Sequence, residues 1–103
     1  MSYDKENVHT ATKLQKGEVC LVQGFGNSMV PLLKSGQVCE VTPVTDETCL
    51  EKGDIVFCKV NGFFYLHKIT ALKKEQYQIS NNHGHVNGWV TRKNIYGLVT
   101  KTI

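Results

Sequence analysis

The dipeptide Asn61-Gly62 constrains this chain more than any other feature, because it stands between Ile55-Val56-Phe57-Cys58-Lys59-Val60 and Phe63-Phe64-Tyr65-Leu66-His67-Lys68-Ile69. A two-residue type I′ turn needs left-handed backbone at both central positions, which Asn and Gly tolerate, and the flanking runs are rich in β-branched and aromatic residues. The two runs are therefore expected to pair as an antiparallel hairpin. The pleat assigns their faces: Phe63, Tyr65, His67 and Ile69 share one, while Phe64, Leu66 and Lys68 share the other.

Further strand signals surround the hairpin. Val19-Cys20-Leu21-Val22, Val38 to Val44, Tyr77-Gln78-Ile79 and Ile95 to Thr100 are short apolar or β-branched runs, and Gly53-Asp54 reads as the turn that delivers the hairpin's first strand. Val30 to Lys34 reads as one helical turn stopped by Ser35-Gly36, and the polar stretch from Ser80 to Gly88 reads as a loop. No long amphipathic helix and no internal repeat is visible. The expected fold class is mostly β, a small coiled β-barrel or two-sheet domain. Residues 1–17 carry few large apolar side chains and are expected as an extended or disordered N-terminal arm, leaving 18–103 as the one domain.

Composition narrows the function classes. At 103 residues the chain can bury roughly two-thirds of its unfolded surface without staples. Its net charge of +3 comes from scattered lysines, with Lys73-Lys74 and Arg92-Lys93 the only adjacent basic pairs, so a nucleic-acid partner is not expected. The polar start and the lack of a long apolar run predict a cytoplasmic protein without a membrane partner. Cys20, Cys39, Cys49 and Cys58 lack the paired spacing of a zinc site and read as free thiols, most of them buried. His83-Gly84-His85 has no companion ligand cluster and reads as a solvated turn. No metal and no cofactor is expected.

The chemistry is concentrated at Gly26-Asn27-Ser28-Met29-Val30-Pro31-Leu32. Glycine before the serine and proline after it constrain the bend, and such a bend can present a hydroxyl as a nucleophile. An ordinary Gly/Asn/Ser turn between strands would carry the same residues.

Four stretches in order resemble the superfamily that unites signal peptidases with the LexA/UmuD-type self-cleaving serine peptidases. Gly26 to Leu32 resembles its nucleophile box, Gly53-Asp54-Ile55-Val56 its second box, Leu66-His67-Lys68-Ile69 its third, and Ile95-Tyr96-Gly97-Leu98-Val99 its closing strand. The resemblance implies the LexA/signal peptidase type of β domain, with Ser28 as nucleophile and a base on the third-box strand. His67-Lys68 is similar to the branch of archaea and the endoplasmic reticulum, which uses histidine followed by a basic residue, so His67 is the expected general base and Lys68 the alternative. Where that branch carries an orienting aspartate this chain has Asn81, a neutral orienter, with Asp54 as the alternative acid. Backbone amides of Ser28 and Met29 are the expected oxyanion donors.

Two functions follow from this reading. One is a soluble serine endopeptidase acting on a protein or peptide; the other is a catalytically weakened peptidase-like domain that binds a protein partner or dimerises. The closing strand, β-branched to its end, is expected as a sheet edge through which a homodimer could form.

Overall fold

The computed structural model describes residues 2–103. A helix, α1 (Ser2–Gln15), precedes seven strands: β1 (Cys20–Gln23), β2 (Val38–Pro43), β3 (Ile55–Val60), β4 (Phe63–Lys73), β5 (Gln76–Ser80), β6 (Val86–Val90) and β7 (Ile95–Thr102). One short 3-10 turn, Arg92–Asn94, leads into β7. All the strands belong to a single antiparallel sheet in the order β1-β2-β7-β3-β4-β5-β6. The mostly β class read from the sequence is the class observed, with one curled sheet, a half-barrel, in place of two separate sheets.

The hairpin forms as its turn demands. Val60 faces Phe63 across the turn, and both Asn61 (φ 49) and Gly62 (φ 87) lie in the left-handed region. Alternation along β3 and β4 then divides the apolar side chains between two cores. Val56, Cys58, Val60, Ile69 and Ile79 fill one side of β3 to β5, and Tyr65 packs against them. Phe57, Cys39, Val41, Met29 and Leu33 form the second core on the opposite face, where Phe64 and Leu66 join them. Phe57 and Phe64 stack there with ring centroids 5.6 Å apart. All four cysteines are free; Cys39 and Cys58 are buried, and burial pushes the Cys58 thiol up to about 12, so it serves as a small apolar filler.

The N-terminal segment departs from expectation. Residues 2–15 form a helix, where the sequence reading places an extended arm. Two apolar residues at helical spacing, Ala11 and Leu14, suffice to seat it, because both are buried in the second core. The seat depends on Gly97 of β7: a side chain there would meet Val41, and its Cβ would come within 3.1 Å of Leu14. Short polar helices draw their stability from such tertiary contacts more than from propensity, which is why the sequence pattern understates this one.

Three other expectations are corrected. Val30 to Lys34 is an irregular turn whose one helical feature is the bond from the Leu33 N–H to the Met29 carbonyl, 2.9 Å. The stretch from Ser80 to Gly88 contains the start of β6, missed because Asn87 and Gly88 interrupt its apolar alternation. Finally, β7 is an interior strand, paired with β2 along Gly97–Thr102 and with β3 along Ile95–Leu98, so it is not the expected sheet edge. Strand order depends on long-range crossovers that local residues do not encode; the edges are β1 and β6.

Candidate active site

The nucleophile turn is a closed loop between β1 and β2. The Gly36 N–H donates to the Gly24 carbonyl at 2.7 Å, joining its two ends, and the Ser35 hydroxyl accepts from the Gly26 N–H at 2.9 Å. Gly26, at φ 101, takes a backbone conformation closed to other residues and bends the chain just before the serine. Met29, buried in the second core, pins the far side of the bend. Ser28 is left half-buried between these two fixed points, lining a groove of about 320 Å³. Val22, Met29, Leu33, Phe57, Phe64 and Leu66 contribute apolar lining to this groove.

His67 meets Ser28 there. The Ser28 Oγ lies 3.1 Å from His67 Nε2, within hydrogen-bond reach. On its other side the ring reaches Asn87, whose Oδ1 stands 2.7 Å from Nδ1. An amide oxygen only accepts, so Nδ1 carries the ring proton and Nε2 is left to accept the hydrogen bond of the Ser28 hydroxyl. Tyr65 stacks on the imidazole at 4.8 Å between centroids. His67 is 8 % exposed, and this burial, aided by nearby His85, holds its pKa below 6.5, with the Asn87 bond opposing in part. His67 is therefore neutral at pH 7, the form a general base needs.

Asn87 is the residue beside His67 that the sequence reading misses. Across β5 and β6, Ile79 faces Gly88 and Ser80 faces Val86, so Asn87 is the extra residue of a β-bulge. A bulge re-aims one side chain out of the regular alternation, and here it aims the amide at His67. Asn81, the expected orienter, is occupied elsewhere. Its Oδ1 accepts from the backbone N–H groups of His83 (2.8 Å) and His85 (2.9 Å), organising the β5–β6 loop from within.

The two alternatives are also placed. Lys68, half-buried on β4, donates from Nζ to Asn82 Oδ1 at 2.8 Å and not to Ser28. Asp54 closes its own turn: Oδ2 accepts from the Glu51 N–H at 2.8 Å, while its carbonyl accepts from the Ile69 N–H. It is a turn residue and gives nothing to the imidazole. His83 is drawn in from the loop expected to be merely solvated, with Nε2 2.9 Å from the Asn27 carbonyl.

The arrangement can abstract a proton from Ser28 and direct the resulting oxygen at a carbonyl held in the groove. Among the described residues it has no anionic third member, so the imidazolium formed in such a step would be oriented by Asn87 but not neutralised.

Comparison with known proteins identifies one family. The family model described as Peptidase S24-like matches residues 2–99. No curated protein and no solved structure matches the chain. Among the described residues no helix is long and apolar enough to cross a membrane.

Proposed function

The chain belongs to the Peptidase S24-like family, and on that premise we propose that it is a serine endopeptidase of the histidine-base type, with Ser28 as nucleophile, His67 as general base and Asn87 as a neutral orienter. The observation that carries this reading is the continuous hydrogen-bonded row from Ser28 Oγ through both ring nitrogens of His67 to Asn87 Oδ1. His67 takes the hydroxyl proton at Nε2 while Oγ bonds to the carbonyl carbon of a peptide lying in the groove. The oxyanion is received by backbone N–H groups of Ser28 and Met29. His67 then returns the proton to the leaving amine as the C–N bond breaks; afterwards it takes a proton from the water that attacks the acyl carbon and gives it to Ser28 Oγ as the ester bond breaks.

A second reading draws on one specific observation, the neutral amide at the orienting position. In that reading the groove holds a protein segment without cutting it. Incubation with a fluorophosphonate, followed by peptide mass mapping, separates the two. An adduct on Ser28, absent in Ser28→Ala, is the result the peptidase reading requires; a folded wild type that takes no adduct supports the binding module.

A further inference from the structure

The proposed chemistry uses Ser28, His67 and Asn87, and leaves unexplained why a half-buried lysine next to the base points at an asparagine. Three carbonyls of the nucleophile turn accept hydrogen bonds from two adjacent residues of the β5–β6 loop. Asn82 donates its N–H to the Ser28 carbonyl at 2.7 Å and its Nδ2 to the Val30 carbonyl at 3.0 Å. His83 reaches the Asn27 carbonyl from Nε2 at 2.9 Å. The turn is thus held along four residues by a segment remote from it in sequence.

Asn82 is itself held by Lys68, whose Nζ donates to its Oδ1 at 2.8 Å. A hydrogen bond from an ammonium is charge-assisted and stronger than one between neutral groups. Drawing electron density toward Oδ1 also makes the Nδ2–H groups of the same amide better donors, so the bond to Val30 strengthens with it. The chain of contacts runs from the Lys68 ammonium through the Asn82 amide to the backbone on both sides of Met29. Consecutive residues of β4 therefore act on the same turn by different routes: His67 on the hydroxyl of Ser28, Lys68 on the backbone that carries it.

We infer that Lys68 is a positioning residue that acts through Asn82 to fix the Ser28 turn against His67. The inference rests on the peptidase reading for its catalytic consequence, although the brace itself is a property of the fold. Loss of the charged donor should loosen the turn without altering what fills the groove.

The test uses the full chain with Lys68→Met and Lys68→Arg, and two readouts. Amide hydrogen exchange at Asn82, whose N–H is bound to Ser28, should accelerate about tenfold in Lys68→Met, while the slow amides of β3 and β4 stay as in wild type. Acylation by a fluorophosphonate should fall about tenfold in maximal rate with an unchanged half-saturating concentration, since geometry and not binding is lost. Lys68→Arg keeps a charged donor and should restore both. Asn82 exchange that is unchanged in Lys68→Met overturns the inference. If wild type takes no adduct at all, the peptidase reading falls, and Asn82 exchange alone still decides for or against the brace.

Discussion

Two segments converge on His67, and they reach it by different physical means. The nucleophile turn, residues 24–36, is shaped locally: Gly26 bends it, Met29 anchors it and a backbone bond between Gly36 and Gly24 closes it. The β5–β6 segment is shaped at a distance, because Asn87 faces the imidazole only through a bulge in the pairing of β5 with β6. The first takes its bend from its own residues and is then held in place by Asn82 and His83 of the β5–β6 loop; the second depends on the register of the sheet. The bend around Ser28 is therefore legible in its own residues, whereas the partner of the imidazole is found only in three dimensions.

The largest expected effect lies where the two segments meet. His67→Gln removes the base while keeping a polar side chain of similar reach, and acylation of Ser28 by a fluorophosphonate should slow by about 10²–10⁴-fold. Intact-mass kinetics would measure it. A rate within about threefold of wild type would mean that the convergence on His67 has no catalytic meaning.

The acid limb of the pH profile sharpens the same point. Only neutral His67 accepts the proton, and its pKa is held below 6.5 chiefly by burial. Acylation should keep its plateau to lower pH than a free imidazole would allow, and fall about tenfold per pH unit only once the folded-state pKa is passed. The stability consequence has a defined sign. The unfolded chain takes up this proton near 6.5 before the folded one does, so stability should decline as pH falls from 6.5 towards the folded pKa, and level off below it. Urea titrations across that range, with His67→Gln lacking this component, would check it.

These expectations rest on features that were unevenly legible. The hairpin around Asn61-Gly62 could be read because the turn chemistry and both flanking runs agree locally, and it places His67 and Lys68 on opposite faces of β4. Ser28 could be read only when its glycine, methionine and proline neighbours were taken together with the three further stretches that share the family resemblance, since the same residues suit an ordinary turn. Asn87 could not, because a bulge has no fixed sequence code and Val86-Asn87-Gly88 resembles loop more than strand. Asn81 was the natural candidate by position along the chain, yet its side chain is spent on the N–H groups of His83 and His85. Helix α1 was hidden for a related reason: its seat is made by the absence of a side chain at Gly97, some eighty residues away.

The smallest effect separates a residue of the fold from a residue of the site. Asp54→Ala removes the acceptor of the Glu51 N–H, and should lower stability by about 1 kcal/mol while leaving the acylation rate and its pH profile unchanged. A shifted pH profile in this variant would place its carboxylate in the catalytic row after all.

The most direct test of the account compares two aspartates introduced in the same segment. If Asn87 orients the imidazole, Asn87→Asp supplies the missing anion and should raise the rate of Ser28 acylation by about tenfold or more, whereas Asn81→Asp should leave it within about twofold of wild type. Acceleration by Asn81→Asp and not by Asn87→Asp, with both variants folded, would contradict the Ser28–His67–Asn87 row.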